Sequence, residues 1–256
     1  SGISLAYFND DFWSLSLDWQ EEQPVTLCYY YVLRNEDGTT VTEGESCRKI
    51  EIPAAGSIDV RVVDTWNHAG DAANVFYTDP FQKVLLPVTR HHFPADDRLP
   101  PTHTFRVKAP LLRKNEVVCL LGSAPSLGSW TTENPLLLNR EDGWWSIAVH
   151  IPPSEIPLSY KYGIYHAKNG TFLRYEDGDN RILNGDNQPV ITYLHDGFIH
   201  LTANTWKAAG VAIPVFSLRS KSSFGVGEFN DIFLLVDWAV KTGLRMIQLL
   251  PVNDTT

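Results

Sequence analysis

Apolar and polar residues alternate with a period of two through most of the first 200 positions. In the stretch FWSLSLDW, Trp13, Leu15 and Leu17 fall on one side and small or acidic residues fall on the other. The stretch at 25–33, VTLCYYYVL, is β-branched and aromatic. Both features are typical of strands. The pattern therefore predicts an all-β first region.

A second series of strands follows a break in the pattern. Residues 89–100, TRHHFPADDRLP, have no periodicity and are predicted to be a linker. Beyond them, short strand patterns such as GWWSIAVHI and LSYKYGIYHA are separated by the turn signals NREDG, KNG and NGDN. This spacing favours an antiparallel β-sandwich or open barrel.

The pattern changes again after Trp206. The stretch at 210–218, GVAIPVFSL, is continuously apolar and predicts a strand buried on both faces. Apolar residues at helical spacing follow, and Gly243 is placed to end that helix in a left-handed conformation. A second apolar strand is predicted at 246–252. Strand, helix and strand form one βαβ unit with parallel strands.

Composition narrows the ligand class. The net charge of −9 argues against nucleic acid and against an anionic membrane face. Aromatic residues make up 12% of the chain, which suggests flat surfaces for a neutral ligand such as a sugar. No phosphate loop or metal-ligand spacing is present, so no cofactor and no metal are expected. The three cysteines predict free thiols and a reducing compartment, hence a cytoplasmic location.

Four motifs occur in one order: LLGSAPSLGSW, GWWSIAV, YKYGIY and YEDGDNR. On these motifs, residues 101–203 resemble a family-20 carbohydrate-binding module, the starch-binding domain of amylolytic enzymes. Residues 1–88 resemble a second, diverged copy that is incomplete at its N-terminus. There, CYYYVL matches SYKYGI, and SCRKIEIP stands where GDNRILNG stands.

The stretches GVAIPVFSLRSKSSFGVGEF and LRMIQLLPVNDT resemble the start of a family-77 glycoside hydrolase, a 4-α-glucanotransferase. The resemblance implies a mainly β fold: two immunoglobulin-like antiparallel β-sandwich domains, then the first βαβ unit of an α/β TIM barrel. The implied divisions are 1–88, a linker at 89–100, a module at 101–203 and a truncated barrel at 204–256. This is the layout of plant-type 4-α-glucanotransferases and their bacterial relatives.

The resemblance also implies a glucan-binding site. A pyranose ring has an apolar C–H face that an exposed, preordered aromatic ring can cover. The family's two stacking positions fall at Trp130 and Tyr175, and its polar partners at Lys161 and Asn180. Glu176 is expected to orient the lysine or to reach a sugar hydroxyl.

Trp145 matches the tryptophan of the family's second site, although it shares strand parity with Ile147 and therefore also fits the core. Structural readings remain open for the first site too. Trp130 also fits a core position that closes one end of the sandwich. Lys161 also fits a solvated surface position, and Tyr175 also fits an ordinary aromatic position facing a neighbouring strand. In the first copy, tyrosine and threonine replace the family's lysine and aromatic residue, so that copy is not expected to bind glucan in this way.

The predicted function is α-glucan binding within a protein that transfers glucosyl or 4-α-glucanosyl units between maltose or maltooligosaccharides and acceptors such as starch or glycogen. Retaining transfer needs two carboxyl groups, which the family carries on later barrel strands. Glu228 and Asp254 are therefore not assigned a catalytic role, and this chain alone is expected to be inactive. The alternatives are a non-catalytic starch- or glycogen-binding scaffold and an interaction protein with vestigial sugar binding.

Overall fold

The computed structural model of the chain describes residues 2–44, 47–56, 58–86, 92–94, 99–141, 143–185, 190–202 and 204–250. Contacts divide the chain into two compact units, Ser1–Ala203 and Asn204–Thr256. Most of the predicted linker at 89–100 lies outside the described residues, and so does Asp254.

The first region of unit 1 supplies seven short strands. They are β1 Ala6–Tyr7, β2 Trp13–Ser14, β3 Val25–Tyr29, β4 Val32–Arg34, β5 Thr40–Thr42, β6 Arg48–Ile52 and β7 Asp59–Asp64. Three antiparallel ladders form among them, β1–β2, β3–β6 and β4–β5. A short 3₁₀ segment, Ala72–Tyr77, and a π-helical turn, Phe81–Leu85, follow β7.

The second region supplies nine strands. They are β8 His103–Lys108, β9 Glu116–Gly122, β10 Leu136–Leu137, β11 Asn139–Glu141, β12 Trp144–Val149, β13 Leu158–His166, β14 Thr171–Tyr175, β15 Arg181–Leu183 and β16 Val190–Phe198. One sheet has the order β10-β9-β13-β14, with β15 also on β13, and the other has the order β11-β12-β8-β16-β7. The mainly β fold predicted from the alternation is confirmed.

Strand β16 lies between β8 and β7 and runs parallel to both. Parallel pairing was not predicted. A short hairpin loop can join only antiparallel strands, but these strands are far apart in the chain and can therefore pair in parallel. Through β7, the first region completes a sheet of the second. The two predicted modules are therefore joined in one compact unit.

The core lies between the two sheets of the second region. All seven residues of β9 are buried, which fits a strand covered on both faces. Buried apolar side chains from both sheets and their connections form one cluster, which includes Phe105, Val107, Leu120, Leu127, Trp145, Tyr160, Tyr162, Ile164 and Leu194.

The cysteines depart from expectation. Cys28 and Cys47 form a disulfide bond whose Cα atoms are 5.5 Å apart. They come together because Cys28 lies on β3 and Cys47 directly precedes its partner strand β6. The prediction of three free thiols is wrong for this pair. Cys119 is free, and burial raises the pKa of its thiol to about 12.

Unit 2 contains the predicted βαβ arrangement: β17 Gly210–Ile213, α1 Asp231–Thr242 and β18 Met246–Leu249, with the two strands parallel. Gly243 ends the helix with a φ of 76°, as predicted. The strands are not buried on both faces, because in the described residues they pair only with each other. None of the helices in the described part of the chain has the length and hydropathy that crossing a membrane requires.

Candidate functional site

The loop after β9 is built around two glycines. A Cβ on Gly122 would lie 2.6 Å from Cδ1 of Leu127 and 2.9 Å from the carbonyl oxygen of Ser159, so only glycine lets Leu127 fill the space beneath the loop. Backbone N–H groups of Leu127 and Ser129 donate to the carbonyl of Ala124 at 2.9 and 3.1 Å. The loop is therefore closed on itself and fixed to the strand.

Three consecutive residues of this loop have positive φ: Gly128 at 79°, Ser129 at 48° and Trp130 at 63°. Glycine adopts this conformation freely, whereas serine and tryptophan pay about 1–2 kcal/mol each. Such strain persists only where surrounding contacts impose it, and it concentrates at functional sites. Here it sets the direction in which the indole leaves the loop.

The indole of Trp130 meets the phenol ring of Tyr175, which ends strand β14. The ring centroids are 6.3 Å apart and the ring planes are 74° apart, an edge-to-face contact. Both side chains are half-buried, and neither is sealed in the core. The two predicted stacking residues therefore lie side by side. They form an angled pair of rings rather than one flat surface.

The polar residues predicted for the site lie on or beside the turn that follows Tyr175. The Nζ atom of Lys161 donates to the carbonyl oxygen of Gly178 at 2.5 Å, which ties strand β13 to the turn. An ammonium has three N–H donors, so two remain for other acceptors. Asn180 is exposed at the end of the same turn.

Glu176 has a different place from the one predicted. It is 4% exposed, and its two carboxylate oxygens accept from Nε and Nη2 of Arg181 at 3.0 and 2.9 Å. Oε1 also accepts from the backbone N–H of Tyr162 at 3.0 Å. The structure therefore does not place Glu176 where a sugar hydroxyl would reach it. The carboxylate holds the turn against β13 instead.

Trp145 is also displaced from its predicted role. The residue is 3% exposed and belongs to the core cluster, because its position on β12 points it between the sheets together with Ile147. A ring enclosed in this way offers no face to a ligand. The assignment of Trp145 to a second binding site is corrected to a core position.

Arg181 and Asp196, which were not predicted, complete the support of the turn. Asp196 accepts hydrogen bonds from the hydroxyl groups of Tyr160 and Tyr162, the latter at 2.7 Å, and its backbone carbonyl accepts from Arg181. Burial raises the pKa of the Asp196 carboxyl, which the nearby guanidinium only partly offsets. Arg181 was visible in the motif YEDGDNR. Asp196 carried no comparable signal in the sequence.

The first region contains the same arrangement of side chains. Arg48 binds both carboxylate oxygens of Glu43, at 3.3 and 2.6 Å, and lies 3.6 Å from Asp64. Asp64 accepts from the hydroxyl groups of Tyr29 and Tyr31, each at 2.8 Å. The five residues correspond one by one to Arg181, Glu176, Asp196, Tyr160 and Tyr162.

This correspondence fixes what stands at the equivalent surface positions. Tyr30 takes the place of Lys161, and Thr42 takes the place of Tyr175, as the sequence predicted. In both regions one glutamate oxygen also accepts a hydrogen bond from the backbone N–H of the second tyrosine, Tyr31 or Tyr162. The first region therefore has the buried side-chain cluster that supports the site in the second region, but it lacks the aromatic residue at the surface.

Two parts of the chain match models of known protein families. Residues 102–192 match the family model described as starch binding domain, and residues 213–256 match the model described as 4-alpha-glucanotransferase. The chain thus carries a starch-binding domain followed by a segment of the glucanotransferase family, and it is homologous to 4-alpha-glucanotransferases.

The particular relatives share this description. The 4-alpha-glucanotransferase DPE2 of Oryza sativa subsp. japonica is 33% identical over 247 residues, which is 89% of this chain and 25% of the relative. A 4-alpha-glucanotransferase of Chlamydia pneumoniae is 43% identical over 60 residues, 21% of this chain and 11% of the relative. The chain therefore spans a quarter or less of the length of these two relatives.

Among solved structures, the family 20 CBM of the maltotetraose-forming amylase from Pseudomonas saccharophila STB07 is similar to part of this chain. It has 16% sequence identity and a TM-score of 0.31, and the match covers 36% of this chain and 97% of that one.

Proposed function

We propose that the second region binds α-1,4-glucan at the ring pair formed by Trp130 and Tyr175. The observation that carries the proposal is this half-exposed, edge-to-face pair, in which Trp130 stands on a strained loop and Tyr175 on the neighbouring strand, within the residues that match a starch-binding domain. Each ring offers an apolar face of the size that a pyranose C–H face can cover. Backbone hydrogen bonds close the loop that carries Trp130, and Tyr175 lies on strand β14. Both residues are therefore in place before any ligand arrives, so little conformational entropy is lost on binding.

The polar contacts of the proposed site come from Lys161 and Asn180. Both lie at the turn that Glu176 and Arg181 hold in place, and an ammonium and an amide suit the hydroxyl rim of a sugar. The proposed ligands are the glucans starch and glycogen and the maltooligosaccharides. The net charge of −9 fits a neutral polymer.

We further propose that the chain is the front of a protein that moves glucosyl or 4-α-glucanosyl units between maltose and glucan acceptors. The family match at 213–256 and the named relatives support this. In that setting the binding domain would raise the local concentration of polymer near a TIM barrel. This chain alone is proposed to bind without catalysing.

The remaining features of the proposal concern organisation and location. The matched side-chain clusters support residues 1–88 as a diverged copy of 101–203. The cytoplasmic location rests on the resemblance alone, because the Cys28–Cys47 bond removes the argument from free thiols.

Affinity electrophoresis in gels containing amylopectin, followed by calorimetry with maltoheptaose, tests the site. Trp130→Ala and Tyr175→Ala should each weaken binding by on the order of 10-fold or more, the loss expected for a central contact residue. Tyr30→Ala is the matched control, since it removes an exposed ring at the equivalent place in the first region. Unchanged binding in both site variants would refute the assignment.

Incubation of this chain with maltose and glycogen tests the catalytic part of the proposal. No release of glucose is expected. Sustained release of glucose would contradict binding without catalysis, and its loss in Glu228→Gln would trace the activity to Glu228. The scaffold alternative predicts that the longer protein, too, leaves maltose unchanged.

A further inference from the structure

A bulge on strand β14 brings a third aromatic ring to the proposed site. Regular alternation would put residues three apart on opposite faces of a strand. In the pairing with β13, Tyr175 stands opposite Gly163, whereas Phe172 stands opposite Tyr165, so Leu173 is one residue more than the partner strand supplies. The extra residue shifts the alternation. Phe172 and Tyr175 therefore share a face, with ring centroids 4.7 Å apart.

The ring of Phe172 occupies space that only glycine leaves open. A Cβ on Gly163 would lie 2.5 Å from Cε2 and 3.1 Å from Cζ of Phe172. Gly163 is also the residue directly opposite Tyr175 in the ladder. The phenylalanine ring is thus held over β13, beside the strand position that carries Tyr175.

Tyr175 has few other restraints on its ring. In the described part of the chain its hydroxyl makes no hydrogen bond, and burial is the main reason that the pKa of this phenol is raised. In the described residues its ring contacts those of Trp130 and Phe172, and the Phe172 plane is tilted 58° from its own. The angle of the phenol ring is therefore set by its two neighbours.

We infer that Phe172 is a positioning residue of the glucan site: its ring, held over Gly163 by the bulge at Leu173, fixes Tyr175 at the angle to Trp130 that a sugar chain meets. This inference rests on the proposed function. It assigns Phe172 no contact with sugar. Phe172 acts through Tyr175 alone, and that restriction makes it testable.

A double-mutant cycle on this chain, with maltoheptaose binding measured by calorimetry, tests the inference. Phe172→Leu should weaken binding about 2- to 10-fold, in the range of a lost aromatic pair. The same change in a Tyr175→Ala background should alter binding less than 2-fold, because the ring through which it acts is gone. Phe172→Met, which fills the space with a flexible side chain, should behave like Phe172→Leu and serves if that variant fails to fold.

A spectroscopic readout separates positioning from general stability. With fluorotyrosine incorporated, the ¹⁹F signal assigned through Tyr175→Phe should move in Phe172→Leu, while the signals of Tyr29 and Tyr31 should stay in place. Thr171→Ala is the control on the same strand, and its exposed position predicts no change in binding.

The outcomes distinguish the two claims. If Tyr175→Ala weakens binding but Phe172→Leu does not, or if Phe172→Leu weakens it equally in both backgrounds, the inference fails and the proposed site stands. If neither Trp130→Ala nor Tyr175→Ala weakens binding, the proposed site fails, and the inference fails with it.

Discussion

The two regions of unit 1 share a buried cluster and differ at the surface above it. Each has an arginine bound to a glutamate five positions before it, and an aspartate that receives two tyrosine hydroxyl groups. Above the cluster, the second region presents Lys161 and Tyr175 and the first presents Tyr30 and Thr42. The comparison teaches that support and binding surface are separable. A region can keep the buried cluster while it lacks the binding surface.

The first cluster has a partner that comes from the second region. Asp64 also contacts Nδ1 of His195, which comes from strand β16 of the second region. Burial would raise the pKa of the Asp64 carboxyl, but the hydrogen bond and charge of His195, with Arg48, hold the pKa below its usual value. No histidine among the described residues donates to Asp196 in this way, and the pKa of its carboxyl is raised. The first cluster is therefore also an attachment between the regions.

Removing each arginine gives the largest expected effect. Arg48→Met and Arg181→Met should each lower the free energy of unfolding by about 3–5 kcal/mol, because a buried carboxylate loses its counter-ion. Only Arg181→Met should also weaken glucan binding, since only that arginine supports the site. Urea unfolding and calorimetry measure the two effects. Lys83→Ala, which breaks an exposed pair with Asp79, is the control with no measurable change.

If Arg48→Met weakened glucan binding as much as Arg181→Met did in the folded protein, the separation between the two regions would be lost.

The Cys28–Cys47 disulfide lies in the first region, so removing it tests whether the stability of that region affects glucan binding in the second. Its cysteines are 19 positions apart, and closing a loop of that length stabilises a protein by about 3 kcal/mol. Cys28→Ser combined with Cys47→Ser should therefore lower the melting temperature and leave the glucan dissociation constant unchanged. Differential scanning calorimetry with and without maltoheptaose measures both. Equal melting temperatures would speak against a stabilising bond.

A smaller effect is expected from pH. The native pKa of Asp64 lies below its unfolded value, so its contribution to stability is complete above the unfolded value and is lost as pH falls through the native one. The native pKa of Asp196 is raised, so the fold gains stability at this residue as pH falls. Urea unfolding midpoints at pH 3, 5 and 7 measure this. As pH falls, the stability lost in Asp64→Asn relative to the unchanged protein should become smaller, and the stability lost in Asp196→Asn should become larger.

Both variants moving in the same direction with pH would show that the His195 contact does not distinguish the clusters.

The smallest effect is expected from transplanting the surface. Tyr30→Lys combined with Thr42→Tyr restores two of the missing side chains in the first region, but the sequence before Phe8 has no counterpart of the loop that carries Trp130. The number of maltoheptaose molecules bound should stay at one and the affinity should change less than 2-fold. Calorimetric stoichiometry is the measurement, and a second bound molecule would overturn the view that the loop ring is indispensable.

Local patterns predicted the local structure well. Alternation gave the strand at Trp144–Val149, and Gly243 ends the helix where its flexibility predicted. The motif positions of Trp130 and Tyr175 fall side by side in space. These features depend on neighbouring residues, which a single sequence displays directly.

Features that depend on distant residues were missed. The parallel pairing of β7 with β16 joins positions more than 100 residues apart, and the Cys28–Cys47 bond depends on which strands meet. The burial of Glu176 follows from Arg181 turning back on it, although both residues were visible in one motif. For Trp145, strand parity allowed a core position, and the packing of the second sheet decided it.

The bulge at Leu173 has a consequence for how such surfaces arise. One added residue puts the side chains before it on the opposite face of the sheet from the one that regular alternation would give. The ring of Phe172 therefore changes face although the partner strand is unchanged. Gain or loss of a single codon, rather than substitution of an aromatic residue, is then enough to add a ring to this surface or to take it away.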